Sequence, residues 1–183
     1  MKTTITLICM TGAILSLGLA RAQDSVDDVE PTNYCVSADP ALGDTAYWAI
    51  TAVELFSEKK YAEAVEAVDA CFAEWGPEGG HKQKALYDEE AKCPRTGKVG
   101  KREKRKIDAN GLINDVSMAL WAKARSLHEL GQIDAAKQAY AQCIYMSCGR
   151  AWDPKGWYWS PADFGAFQWD TIFNLNLAIH DMA

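Results

Sequence analysis

The sequence predicts an all-α fold: two helical hairpins, an insertion between them and a C-terminal capping helix. Three observations carry this expectation. Residues 45–75 ("TAYWAITAVELFSEKKYAEAVEAVDACFAEW") and 117–147 ("SMALWAKARSLHELGQIDAAKQAYAQCIYMS") align without gaps. Each carries apolar residues at helical three-to-four spacing, broken once, at Lys59-Lys60 and at Gly131-Gln132. Ser160-Pro161-Ala162-Asp163 opens a further apolar run with a serine cap, a proline in the first turn and an acid three residues after the cap.

The N-terminus reads as a processing signal. Lys2 is a short basic start, Thr3 to Ala20 is uncharged and apolar or small, and Ala20-Arg21-Ala22 has the small-x-small cleavage pattern. Residues 1–22 are therefore expected to be a signal peptide cut after Ala22, making the protein periplasmic or secreted. The apolar run is short and no second one follows, so no stable membrane span is expected. Cleavage of the 183-residue chain leaves 161 residues, which suits one domain with a sizeable core. Loss of Lys2 and Arg21 leaves 17 basic against 25 acidic residues, a net charge of −8 that argues against nucleic-acid binding. Residues 23–43 form an N-terminal segment, and the helical domain covers 44–183.

In the aligned hairpins Trp48 falls on Leu120, Ala52 on Ala124, Leu55 on Leu127 and Tyr61 on Ile133. Ala64 then falls on Ala136, Val68 on Tyr140 and Cys71 on Cys143. A large residue, a small one four on, a bulky one, and the same alternation after a turn resemble the tetratricopeptide repeat. Small residues let paired helices approach, and bulky ones fill the space beside them. The chain departs from the repeat at Thr51 and Lys123, where leucine is usual, at the two cysteines, and at Pro77, one place late. The resemblance implies an α-solenoid fragment that binds another protein or peptide and carries no chemistry of its own. It also implies a groove presented by first-helix residues, here Tyr47, Thr51 and Glu54 of the first unit and Lys123 and Arg125 of the second.

Gly76-Pro77 and Gly79-Gly80 are expected to end the first hairpin, 44–75. Residues 76–109 then form an insertion, with a short helix fitting His81 to Lys92 and turns from Pro94 to Gly100. Its basic run is Lys92, Arg95, Lys98, Lys101, Arg102, Lys104, Arg105 and Lys106. A solvated segment is favoured over a site for anionic lipid, cell-wall polymer or an acidic partner. The second hairpin covers 110–148.

An aromatic linker, 149–160, follows, with Trp152, Trp157, Tyr158 and Trp159 in "WDPKGWYWSP". Asp153-Pro154-Lys155-Gly156 reads as a tight turn that brings Trp152 near Trp157. Packing between the last repeat and its lid is favoured over a stacking platform for sugar rings or proline, with Trp157 and Trp159 the first residues to expect at the surface. The box also resembles that of exported bacterial proteins, some with names suggesting β-glucan hydrolysis, which sustains a glycan-binding or glycan-processing alternative. The capping helix, 161–182, is expected to lay Phe164, Phe167, Ile172, Leu175, Ile179 and Met182 on the second hairpin.

Five cysteines remain after cleavage: Cys35, Cys71, Cys93, Cys143 and Cys148. In an oxidising compartment they are disulfide candidates, and an odd number leaves one over. The start of a hairpin's first helix lies beside the end of its second. That topology suggests Cys35–Cys71 and Cys93 with Cys143 or Cys148. Cysteine and histidine spacing gives no metal site. Gly97 and Gly100 lack a P-loop pattern, no serine sits in a nucleophile elbow, and His81, His128 and His180 are read as surface residues. No catalytic residue, metal or cofactor is expected.

Overall fold

The computed structural model describes residues 33–180, with side chains described as far as Ile172. The predicted signal peptide, residues 23–32 of the N-terminal segment and Met182 lie outside the described residues. The elements are α1 (Asp44–Ser57), α2 (Tyr61–Asp88), α3 (Lys101–Ala109), α4 (Gly111–Glu129), α5 (Ile133–Tyr145), β1 (Ala151–Asp153), β2 (Trp157–Trp159) and α6 (Pro161–His180). The protein is mostly helical, as its periodicity predicts. A small two-stranded sheet within the aromatic linker is an addition that leaves the fold consistent with all-α.

The two aligned segments close with the same turn. Lys60 N–H donates to the Leu55 carbonyl, and Gln132 N–H donates to Leu127, both at 2.9 Å. The residue before each donor is left-handed: Lys59 at φ 62° and Gly131 at φ 72°. Both are therefore Schellman-type helix ends, with glycine in one copy and lysine in the other. Burial repeats too, since Trp48, Ala52, Ala64, Val68 and Cys71 are as buried as Leu120, Ala124, Ala136, Tyr140 and Cys143.

Helix α2 does not stop at Gly76-Pro77; it runs on to Asp88. The glycines read as breakers instead provide room. A Cβ on Gly79 would stand 2.8 Å from the Val116 Cγ2 of α4, so its absence lets two helices touch. Trp75, Gly76, Gly79 and Gln83 are all buried, and this packing outweighs the local cost of proline in a helix. The insertion thus shrinks to residues 89–100 plus α3, and the short helix fitted to His81–Lys92 is the end of α2.

Helix α4 is central, packing against α1, α2 and α5, while α6 lies on α5 and α4. One core cluster gathers Trp48, Val68, Trp75, Val116, Leu120 and Met146; another gathers Leu127, Tyr140 and Ile172. The Trp48 indole N–H donates to the Ala67 carbonyl at 2.9 Å, tying α1 to α2. Ser160 caps α6 by accepting the Asp163 N–H at 3.2 Å, as its sequence indicates. The packed face of α6 matches the predicted one at Ile172 but not at its first turns. Ile172 is buried and Gly165 sits 3.5–3.7 Å, measured from a Cβ built there, from Cys143, Tyr140 and Ile144, whereas Phe164 and Phe167 are exposed. Leu175 and Ile179 have no described side chains.

Disulfides join Cys35 to Cys71 and Cys93 to Cys148, with Cα separations of 5.5 and 4.6 Å. The first matches the topological expectation, and the second resolves its alternative in favour of Cys148. Cys143 is a buried thiol whose ionisation burial strongly disfavours.

Candidate functional site

The aromatic linker folds because it meets α4 at close range. A Cβ on Gly149 would lie 2.4 Å from the Ser117 Cβ, so only glycine lets the chain pass there. Beyond it, aromatic residues favour extended structure, and a three-residue loop reverses the chain. Gly156, at φ 93°, donates its N–H to the Asp153 carbonyl at 2.8 Å, and Asp153 Oδ1 accepts the Lys155 N–H at 2.8 Å. In the resulting register Trp152 faces Tyr158, with ring centroids 5.0 Å apart, and Asp153 faces Trp157. Trp152 therefore pairs with Tyr158 and not with Trp157 as the turn alone suggested.

Three contacts bring distant segments to this hairpin. Tyr158 exchanges two backbone hydrogen bonds with Gly97, at 2.7 and 3.0 Å. The Arg150 guanidinium donates to the carbonyls of Pro94, Ser147 and Gly149 at 2.6–2.8 Å, and burial lowers its pKa. Asn114 of α4 donates through Nδ2 to the Ile107 carbonyl and accepts the Arg150 N–H at Oδ1, both at 2.8 Å. Glu103 adds a clip by accepting the Arg95 N–H at 2.9 Å, which holds its carboxyl below the usual range.

These latches enclose a cleft of about 620 Å³ between α1, α3, α4 and the hairpin. Ile50, Val53, Ile107, Met118, Tyr158 and Trp159 give it apolar walls. Glu54, Asp108, Asp115 and Asp153 add four carboxylates, one from each surrounding element. Thr45 donates its hydroxyl to Asp115 Oδ2 at 2.7 Å, and burial raises the Asp115 pKa. Trp152 stands at the rim, 55 % exposed.

Beside the cleft runs a line of rings. Phe56 meets Trp121 at 5.4 Å, Trp121 meets Trp159 at 5.1 Å, and Trp159 meets Phe164 at 5.3 Å. A second recess of about 270 Å³ is lined by Trp121, Asp153, Trp157, Trp159 and Phe164.

The predicted site residues divide accordingly. Trp152, Tyr158, Trp159 and Glu54 line the cleft, and Trp157 lines the second recess. Trp152 is the exposed tryptophan of the box, Trp157 and Trp159 are half-buried, and Tyr158 is buried. Tyr47 and Thr51 lie outside the cleft. Lys123 turns towards α2 to pair with Asp69. Arg125 lies over the Phe56 ring at 5.3 Å and pairs with Glu129 at 3.5 Å. His81 is exposed as expected, but His128 is half-buried against Tyr140. Asp108, Asn114, Asp115 and Arg150 were not singled out from sequence.

Among the described residues no helix is long and apolar enough to cross a membrane, and no group of three or more metal-binding side chains occurs. Compared with known proteins, the chain matches no family model, no curated protein and no solved structure.

Proposed function

We propose that this is an exported helical-repeat adaptor of tetratricopeptide type, non-catalytic, which holds an extended segment of another protein in the cleft. The observation that carries the reading is the cleft itself: apolar walls supplied by the first helix of each hairpin and completed by the aromatic strand pair. A chain lying there covers apolar surface, while the surrounding polar groups orient it. The repeated turn and repeated burial pattern support the tetratricopeptide assignment. The two disulfides suit an oxidising compartment. A photo-crosslinking residue at position 152 of the full chain, followed by recovery from the cell envelope, tests this. One protein captured repeatedly supports it, and capture lost on filling the cleft with M118W places the segment inside. Capture insensitive to M118W sinks it.

One observation favours a second reading. Trp157, Trp159 and Phe164 around Asp153 combine ring faces with a carboxylate, the combination that suits a sugar. Titration of tryptophan emission with soluble β-glucan and peptidoglycan fragments tests it, and an unchanged spectrum removes it.

A further inference from the structure

Within the peptide-binding reading, on which this rests, we infer that the segment held in the cleft is cationic, with lysine or arginine set between apolar residues. Glu54, Asp108, Asp115 and Asp153 converge on the cleft from four separate elements. None of the four belongs to an ion pair among the described residues, although six pairs form elsewhere. The one cationic residue in the lining, Arg150, directs its guanidinium away, onto the carbonyls of Pro94, Ser147 and Gly149.

Asp115 sharpens the point. It is half-buried and has a neutral hydroxyl as partner, so its charge is poorly compensated where it stands. A carboxylate held in that state by the protein alone is matched by a cation arriving from outside. Trp152 adds an exposed ring at the rim, its edge contact with Tyr158 leaving area for an ammonium or guanidinium. An acidic segment would be repelled by all four carboxylates, and a neutral one would leave them unmatched.

The test uses the oxidised full-length protein and three blocked heptapeptides of alanine and leucine, interrupted by two lysines, two glutamines or two glutamates. Calorimetry should give the lysine peptide a Kd about tenfold below that of the glutamine peptide, with the glutamate peptide weakest. Raising salt from about 50 to 500 mM should weaken the lysine peptide several-fold and barely alter the glutamine one. D115N should cost the lysine peptide about fivefold, and E54Q a smaller factor, so that the preference for lysine over glutamine narrows in both. Equal binding of lysine and glutamine peptides, or a ratio unmoved by D115N, overturns the cationic preference and leaves peptide binding standing. Binding of none of the three overturns both, and a response to glycan fragments in that case transfers the cleft to the sugar reading.

Discussion

Asn114 is the joint on which the cleft depends, and replacing it gives the sharpest test of the structure. Its orientation is fixed by chemistry: the Ile107 carbonyl can only accept and the Arg150 N–H can only donate, so Nδ2 and Oδ1 cannot exchange places. N114A removes both bonds. Each is worth about 1 kcal/mol net, and the half-buried Arg150 N–H left without its acceptor adds further cost. The expected loss is about 2–3 kcal/mol. The Ile107 carbonyl keeps a second donor, Asn110 N–H at 3.0 Å, so the larger share falls on the Arg150 side. Urea denaturation of the oxidised protein measures the total, and amide exchange locates it: the Arg150 amide should lose protection while those within α2 keep theirs. A change under about 0.5 kcal/mol with Arg150 protection unaltered would refute the argument.

Three further outcomes are expected. K59G relieves the left-handed strain that Gly131 avoids in the sister turn and should raise stability by about 1 kcal/mol in denaturant melts; a loss would contradict the shared-turn account. Replacing Cys93 and Cys148 together by serine frees a loop of 55 residues and should cost roughly 2–4 kcal/mol, with the Gly97–Tyr158 amides exchanging faster; unchanged exchange would mean that the bridge does not hold the hairpin. For Asp115 the folded pKa lies above the unfolded value, so its charge costs stability at high pH and the cost fades as pH falls through the raised pKa. D115N still accepts from Thr45, so it should melt higher than wild type near neutrality. The gap should close by about pH 3, where unfolded aspartate is also protonated, and a wild type melting higher at neutral pH would reverse the sign.

Much of the fold was legible because the hairpins are local. Apolar spacing and a gap-free internal alignment located both turns, down to the Lys59 and Gly131 positions that turned out left-handed. The end of α2 was misread because Gly76-Pro77 and Gly79 are breakers only while the helix is alone. The Val116 side chain that occupies the space beside Gly79 is 37 residues away and invisible to a window scan. The turn at Asp153–Gly156 was legible, but its register was not. A loop of three residues in place of four moves every pairing and sets Trp152 opposite Tyr158. The cleft was the least legible part. Glu54 was legible as a groove residue through the repeat resemblance and Asp153 only as part of a turn, while Asp108 and Asp115 carried no signal, and only the folded chain places the four around one space.

Because its walls run from Ile50 to Trp159, the cleft needs both hairpins and the aromatic strand pair in place at once. The two hairpins can close as soon as each is made. The space between them is completed only when the chain past Cys148 has returned to Gly97 and been fastened there. Occupancy is therefore linked to the global unfolding equilibrium and not to a local one. A ligand at a hundred times its Kd would deepen that equilibrium by about 2.7 kcal/mol, felt equally by helices that never touch it. A ligand held there would report that the chain from Ile50 to Trp159 has folded around it.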